Sequence, residues 1–181
     1  KAGIPIYIDK PFALSLSDAK VMLDSQSVDG LIFTCSSLRY SKELILNENE
    51  IKELGKIVYV EGSVMNNWET YGIHLLEPIV AQLPNRGKLI SVYPLKKKST
   101  QTVLIRWENC IAKLNITGNI QSEFHISFFG DSGVKKKVFY DSFNSFKNTL
   151  LKFTEQVRIK KSLISIEETL EIVEIIELGI C

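Results

Sequence analysis

The alternation of apolar and polar positions first predicts a short βαβ unit. Residues 4–8, IPIYI, form a continuous apolar run, which is typical of a buried strand in a parallel sheet. Ser15 lies three residues before Asp18, an acidic variant of the capping box, and this pair predicts a helix over residues 16–26. A second buried strand follows in LIFTCS, residues 31–36. This order predicts two parallel strands joined by a right-handed crossover.

The pattern after Ser37 predicts an α+β region. Helical periodicity is expected in LRYSKELILN and ETYGIHLLEPIVAQLP, and a strand is expected between them in GKIVYVEGSV. Five short strands separated by turn residues follow, in KLISVYPL, TQTVLIRWE, CIAKLNITG, EFHISFFG and VKKKVFY. Each has one apolar face, so helices or another subunit should cover that side. Two closing helices are predicted over residues 143–157 and 165–176.

Together these elements predict an α+β fold. A terminal βαβ unit of a larger doubly wound sheet would be followed by an open, mostly antiparallel sheet with helices packed on one face. We place the boundary near Ser37, so that residues 1–37 belong to one domain and residues 38–181 to the next. A lone βαβ unit cannot cover both faces of its own strands. We therefore expect the chain, which starts at Lys1, to be a piece of a longer protein.

Composition narrows the classes of partner. The net charge of +1 gives no strong field for nucleic acid or for an anionic membrane. The lysine runs at residues 96–98 and 135–137 are interpreted as hairpin ends or a protected edge strand. Cys35, Cys110 and Cys181 fit no zinc pattern and favour a reducing cytoplasm. No apolar run approaches the length of a membrane span.

Charged residues follow both strands of the βαβ unit. Asp9-Lys10-Pro11 follows the first strand and Ser36-Ser37-Leu38-Arg39 follows the second. Ligands of open parallel sheets bind beyond the carboxyl ends of the strands, so Lys10 and Arg39 are candidates for contact with a cofactor or substrate. The Lys10 cation can polarise a carbonyl or stabilise an alkoxide. The alternative for Arg39, equally favoured, is a structural role in which it forms an ion pair with a carboxylate and contacts no ligand.

A second group of candidates lies near the start of the helix in ETYGIHLLE. Tyr71, His74 and Glu77 share this segment with Glu69, and Glu77 follows His74 by one turn and could orient its ring. A lone histidine on a helix is more often structural, and the same interpretation holds for His125 in a later strand. No GxGxxG, GxxxxGK[ST], nucleophile elbow or HExxH pattern occurs in the sequence.

These segments resemble the Gfo/Idh/MocA oxidoreductases, the family of glucose–fructose oxidoreductase and inositol dehydrogenase. AGIPIYIDKPFALSLSDAK is similar to the segment around the family's Glu-Lys-Pro motif, and the resemblance continues through SSLRY, YGIHLLE and SIEETLEIVEIIE. In that family a Rossmann NAD(P)-binding domain comes first and an α+β domain with an open sheet follows. The resemblance therefore implies that this chain is the C-terminal part, without most of the Rossmann domain.

The resemblance also implies roles for individual residues. Lys10 matches the family lysine near the nicotinamide and substrate, and Asp9 replaces the usual glutamate. Asp9, Lys10, Pro11 and Arg39 would then lie against the cofactor. His74 matches the histidine that acts as acid/base on the substrate hydroxyl. Thr70 occupies the position where many members carry an aspartate, and Tyr71 beside it would serve as a hydrogen-bond donor.

The function implied is that of an NAD(P)-dependent oxidoreductase acting on a sugar, a polyol or another hydroxyl-bearing substrate. The intact parent chain would be the enzyme, while this part alone would be inactive and would bind NAD or NADP weakly or not at all. We expect a homodimer or higher homo-oligomer through the open sheet, and no metal, nucleic acid or membrane partner. The alternative is a non-catalytic ligand-binding or dimerisation domain derived from the same family.

Overall fold

The computed structural model describes residues 3–180, so the chain start at Lys1 and the predicted thiol Cys181 lie outside the described residues. Eight strands, five α-helices and one 3₁₀ helix follow one another along this part of the chain. In order they are β1 Ile6–Ile8, α1 Leu16–Asp24, β2 Ile32–Thr34, the 3₁₀ helix Ser37–Tyr40, α2 Glu48–Leu54, β3 Ile57–Val64, α3 Trp68–Gln82, β4 Leu89–Lys97, β5 Thr100–Trp107, β6 Ile111–Ile116, β7 His125–Gly130, β8 Val134–Val138, α4 Ser142–Ile159 and α5 Ile166–Leu178.

The first three elements form the predicted βαβ unit. Strands β1 and β2 pair in parallel, with Ile6 opposite Ile32. Helix α1 begins after Ser15, whose hydroxyl accepts the backbone N–H of Asp18, as the capping pattern predicts. Burial on both faces was predicted and is wrong for Ile6, which is 51% exposed. Val21 of α1 is also exposed, because α1 packs through Ala19.

The second sheet has six strands in the order β4-β5-β6-β3-β7-β8. All of its neighbouring strands are antiparallel except the central pair β3 and β6, which is parallel. The inward face is apolar and closely packed, and Val103, Ile105 and Trp107 on β5 are fully buried, as their alternation predicts. Helices α3 and α5 cover this face. The prediction of an open, mostly antiparallel sheet with helices on one face is confirmed.

Trp68, at the start of α3, joins α3 to α5. The indole is 1% exposed, and its Nε1 donates a hydrogen bond of 2.9 Å to the backbone carbonyl of Ile176. Gly179 passes so close to the ring that a Cβ there would lie 2.3 Å from Trp68 Nε1. The end of α5 therefore rests against Trp68, and this contact sets the position of α3 over the sheet.

The link between the βαβ unit and β3 differs from the prediction. The helix expected over residues 38–47 is only the 3₁₀ helix Ser37–Tyr40 followed by turns, because its core residues Leu38, Leu44 and Leu46 are buried at irregular spacing. The short helix α2 comes after it and was not predicted. Its start has a complete capping box, in which Asn47 caps the helix and Glu50 bonds back to the Asn47 backbone N–H. The Asn47 and Glu50 spacing of this capping box was visible in the sequence and could have predicted the start of α2.

Helix α4 packs against the βαβ unit through polar residues rather than through its apolar stripe. Ser145, Thr149 and Gln156 are buried, whereas Phe143, the first residue of the helix predicted over 143–157, is 76% exposed. The hydroxyls of Ser145 and Thr149 donate to the backbone carbonyl of Ser37. These bonds explain the burial of polar residues, because the carbonyl at the start of the 3₁₀ helix needs donors. Phe153 does pack on Tyr7 and Phe33 of the small sheet.

No helix within residues 3–180 is long and apolar enough to cross a membrane.

Replacing Gln156 by methionine should test how α4 holds the small sheet. The Gln156 amide donates to the carbonyls of Gly30 and Ile32 and accepts the N–H of Leu163, at 2.9–3.0 Å. The Gln156→Met variant leaves these buried groups unpaired, so we expect the free energy of unfolding to fall by about 2–4 kcal/mol. Urea denaturation measures the loss. Lys147→Met, on the exposed side of the same helix, should change the free energy by less than about 0.5 kcal/mol, and an equal loss in both variants would contradict the role of Gln156.

Candidate active site

Lys10 lies directly after β1 and contacts the start of α3. Its Nζ donates a hydrogen bond of 2.9 Å to the backbone carbonyl of Thr70. The same ammonium lies 4.8 Å from the ring centroid of Tyr71, within the range of a cation–π interaction. The Lys10–Pro11 peptide bond is cis. The strand end and the helix start are therefore joined through one charged side chain.

His74 lies one turn further along α3 and contacts the end of β2. The rings of Tyr71 and His74 meet edge to face with centroids 5.5 Å apart. His74 Nδ1 lies 2.6 Å from the hydroxyl oxygen of Ser36. The structure thus brings together Lys10, Tyr71 and His74, three of the side chains singled out from the sequence, and adds Ser36. We call these four residues the Lys10–His74 cluster.

Burial keeps His74 neutral at neutral pH. Burial, together with a smaller effect of the nearby Lys10 cation, lowers the pKa of His74 from its ordinary value of 6.5 to about 4, whereas Asp9 acts in the opposite direction. The other ring nitrogen, Nε2, has no hydrogen-bond partner within residues 3–180. It is therefore the ring atom left for a further polar contact.

Arg39 and Glu77 form a separate buried network behind the cluster. Arg39 pairs with Glu77 at 2.7 Å and with Glu168 of α5, and its side chain is 10% exposed. Burial raises the pKa of the Glu77 carboxyl, while Arg39 and the backbone N–H of Ser36 favour its ionised form. The expectation that Glu77 orients the ring of His74 is wrong: Glu77 bonds to Arg39, and Ser36 contacts the ring. Contact of Arg39 with a cofactor stays a prediction.

The remaining candidates differ in their contact with the cluster, and Thr70 touches it through its backbone carbonyl, which accepts the hydrogen bond from Lys10. Asp9 is exposed beyond β1, and the half-buried Pro11 follows Lys10. Thr70, at the position of the family aspartate, bonds through its hydroxyl and its N–H to Asn67, the N-cap of α3. His125 lies outside the cluster, at the start of β7, with Nδ1 3.2 Å from the carbonyl of Glu123.

Ser36 was not predicted as a site residue. It lies in the SSLR segment that follows β2, so its position beyond the carboxyl end of a parallel strand was a usable signal. Serine is common at such ends as a backbone cap, and Ser36 also has that role, since its hydroxyl accepts the N–H of Leu38. Its contact with His74 spans 38 positions of sequence and has no local pattern.

A cavity of about 440 Å³ lies elsewhere, between α2 and the end of α3. Leu46, Ile51, Leu83, Pro84 and Cys110 line it together with neighbouring residues, and no residue of the Lys10–His74 cluster does. Cys35 and Cys110 are both free thiols and both buried. Within residues 3–180, no group of three His, Cys, Asp or Glu side chains is placed to hold a metal ion.

The residues at this edge fit one end of a nicotinamide dinucleotide. The carboxyl ends of β1 and β2 lie side by side, with Ile8 opposite Thr34, and this is where dinucleotides lie on open parallel sheets. Lys10 and His74, whose Nε2 has no hydrogen-bond partner within residues 3–180, lie at this edge. Residues 3–180 include no glycine-rich loop of the phosphate-binding kind.

Solved structures similar to this chain include myo-inositol dehydrogenases and GenD2 from gentamicin A biosynthesis. The myo-inositol 2-dehydrogenase from Lactobacillus plantarum matches 98% of this chain and 70% of its own, with a TM-score of 0.76 at 13% identity. GenD2 from gentamicin A biosynthesis, in complex with NAD, matches 98% and 69% with a TM-score of 0.75 at 11% identity. The myo-inositol dehydrogenase from Lactobacillus casei, in complex with NAD(H) and myo-inositol, matches 97% and 66% with a TM-score of 0.69 at 17% identity.

These structures are Gfo/Idh/MocA-type dehydrogenases, so the fold implied by the sequence resemblance is confirmed. No family model matches the chain, and no curated protein sequence matches it significantly. Sequence identities of 11–17% show a shared fold and leave the activity to be argued from the site itself.

The buried neutral state of His74 predicts a pH dependence of stability. The folded chain keeps His74 unprotonated down to about pH 4, while the unfolded chain protonates it near pH 6.5. The stabilisation is complete above pH 6.5 and should be lost as the pH falls to about 4, by up to about 3 kcal/mol. Chemical denaturation of the wild type and of His74→Gln across this range measures the difference. Parallel curves for the two proteins would show that His74 is not neutral through burial.

Proposed function

We propose that this chain forms the substrate-side part of an NAD(P)-dependent oxidoreductase that acts on a hydroxyl-bearing substrate such as a sugar or polyol. The observation that carries the proposal is the Lys10–His74 cluster, which lies beyond the carboxyl ends of two parallel strands. Residues 1–37 would be the last βαβ unit of the dinucleotide-binding domain, and residues 38–181 the substrate-binding and oligomerisation domain. The comparisons support this assignment through the fold, because the similar structures include dehydrogenases described with NAD or NAD(H).

The chain's own residues would bind and orient the reacting oxygen. A bound nicotinamide would supply or accept the hydride. The ammonium of Lys10 is fixed by the carbonyl of Thr70 and by the ring of Tyr71, so its position toward a ligand is restricted. His74 Nε2 is available at the same site. Both groups can stabilise negative charge on the oxygen, and the proton exchanged in the reaction would move at one of them.

The dinucleotide would be held mainly by polypeptide other than these 181 residues. The cofactor-contacting residues proposed here, Asp9, Lys10, Pro11 and Arg39, all lie at the strand ends, where the nicotinamide half would bind. Gripping of the pyrophosphate needs a helix N-terminus with a glycine-rich turn. The 181-residue chain alone is therefore expected to bind NAD or NADP weakly or not at all, and the intact polypeptide to bind one of them.

Substitution at Lys10 and His74 tests the proposal. In the intact polypeptide, Lys10→Met and His74→Gln should each lower kcat for NAD(P)-linked oxidation of a polyol such as myo-inositol, or for reduction of the corresponding ketone, by about 10²–10⁴-fold. Absorbance of the reduced nicotinamide follows the reaction. Lys20→Met, at an exposed position of α1, is the matched control and should keep wild-type kcat.

Two results would contradict the assignment. Full activity in both Lys10→Met and His74→Gln would remove these residues from the reaction. An intact polypeptide that folds but neither binds a nicotinamide cofactor nor turns over any polyol or sugar would instead favour the non-catalytic ligand-binding or dimerisation domain.

We also propose that the outward face of the six-stranded sheet binds a second copy of the chain. Helices cover only the inward face, and the outward face carries the exposed apolar side chains Tyr93, Leu95 and Ile111. The strand pairing places these residues on the same side, because Tyr93 is opposite Leu104 and Leu95 is opposite Thr102, all pointing away from the buried Val103 and Ile105. A face of this kind is typical of subunit contacts.

Introduction of negative charge on the apolar face should therefore dissociate the oligomer. The double variant Tyr93→Glu and Leu95→Glu places desolvated carboxylates in the proposed contact, and we expect a monomer at concentrations where the wild type is a dimer. Sedimentation velocity measures the state. Val21→Glu, which adds a charge at an exposed apolar position of α1, should stay dimeric, and a monomeric wild type would rule out the contact.

A further inference from the structure

The hydroxyl of Ser36 makes two contacts in a fully buried position. Ser36 is 0% exposed. Its Oγ lies 2.6 Å from His74 Nδ1 and accepts the backbone N–H of Leu38 at 3.1 Å. The donor of the second contact is fixed, because a backbone N–H can only donate. The direction of the first contact decides which nitrogen of His74 carries the proton.

Only one direction satisfies both the Ser36 hydroxyl and Nδ1 of His74. If Nδ1–H donated to Ser36, the hydroxyl oxygen would accept twice, and its own buried proton would need a third partner. Within residues 3–180, the Ser36 hydroxyl has no further acceptor. If Nδ1 is unprotonated, Ser36 donates its proton to Nδ1 and accepts from Leu38, so the hydroxyl and Nδ1 are both paired. A neutral imidazole with a free Nδ1 lone pair carries its proton on Nε2.

We propose that Ser36 is a positioning residue that holds neutral His74 in the Nε2–H tautomer, so that His74 presents a hydrogen-bond donor to the substrate oxygen and does not act as a base. The part of this proposal that concerns a substrate rests on the oxidoreductase function proposed above. The tautomer itself depends only on contacts within the chain. The depressed pKa of His74 agrees with a neutral ring at neutral pH.

The tautomer assigns the proton transfer to Lys10. Protonated Nε2 has no lone pair with which to take a proton from a substrate hydroxyl, but it can polarise a carbonyl, as a neutral imidazole donor does. In the reduction direction an Nζ–H bond of Lys10 would break and an O–H bond would form on the substrate, leaving a neutral amine, while the hydride comes from the reduced nicotinamide. Oxidation would run the same exchange in reverse.

His125 is expected to have the opposite tautomer to His74 and so serves as an internal reference. Its Nδ1 lies 3.2 Å from the backbone carbonyl of Glu123, which can only accept, so neutral His125 should carry its proton on Nδ1. The two histidines of the chain are therefore expected to show opposite tautomers in one spectrum. The variant His125→Gln removes one set of signals and assigns the other to His74.

Long-range ¹H–¹⁵N NMR of the 181-residue chain at pH 7.5 tests the proposal, because it distinguishes a protonated ring nitrogen from an unprotonated one. We expect His74 to show unprotonated Nδ1 and protonated Nε2. A protonated Nδ1 at His74 would overturn the proposal without any variant. In Ser36→Ala the preference should weaken to a mixture of both tautomers, whereas Ser37→Ala, at the neighbouring serine, should leave the wild-type pattern.

A Ser36→Ala spectrum with His74 still entirely in the Nε2–H form would overturn the role of Ser36. If that variant does not fold, the wild-type spectrum still decides the tautomer, and Ser36→Thr, which keeps the hydroxyl, should retain it. The readout needs no cofactor and no turnover. An inactive protein with the expected tautomer would count against the oxidoreductase function alone, while an active protein with Nδ1–H would count against this inference alone.

Discussion

The buried ion pair between Arg39 and Glu77 is the constraint on which the arrangement of the site depends. A carboxylate this deeply buried must be paired and hydrogen-bonded, and Glu77 obtains its partners from Arg39 and from the backbone N–H of Ser36. Arg39 also binds Glu168 on α5. Arg39 follows the small sheet, Glu77 lies on α3 and Glu168 lies on α5. The two ion pairs therefore tie these three parts of the fold together.

The register of α3 transmits this constraint to the cluster. Glu77 and His74 lie three residues apart, on adjoining turns of the same helix, so fixing Glu77 against Arg39 also fixes His74 against Ser36. Thr70 lies one further turn toward the start of the helix and receives Lys10 through its backbone carbonyl. Because this contact uses the backbone carbonyl of residue 70, it does not depend on which side chain stands there. The replacement of the family aspartate by threonine therefore leaves the lysine anchored.

The sequence predicted those elements whose signals are local. The parallel pair in the βαβ unit, helix α3 and the strands with one apolar face follow from periodicity and caps within a few residues, such as Ser15 and Asp18. The fold class also followed from the resemblance. Lys10, Tyr71 and His74 were singled out by position and by family motif, and the structure places them together.

Two of the errors share a physical cause, which is pairing with polar groups that are distant in the sequence. Helix α4 buries three polar residues, because backbone carbonyls of the βαβ unit and of the 3₁₀ helix need hydrogen-bond donors. The donors are Ser145, Thr149 and Gln156, and the acceptors are the carbonyls of Gly30, Ile32 and Ser37. Hydrophobic periodicity cannot predict such hydrogen bonds. Glu77 was assigned to His74 by helical spacing, but a buried arginine 38 positions earlier in the chain binds it more strongly. Pairings across such separations depend on the tertiary structure and leave no local trace.

The outer strands of the six-stranded sheet determine how another chain could approach it. Strand β4 lies at one edge and carries Pro94, which has no N–H to offer, followed by Lys96 and Lys97. Strand β8 lies at the other edge, and its lysines bind Glu50 and Glu53 of α2. Growth of the sheet by strand addition is therefore disfavoured on both sides. Any association through this sheet must occur face to face, which limits it to two layers and makes an open-ended fibre of paired strands unfavourable.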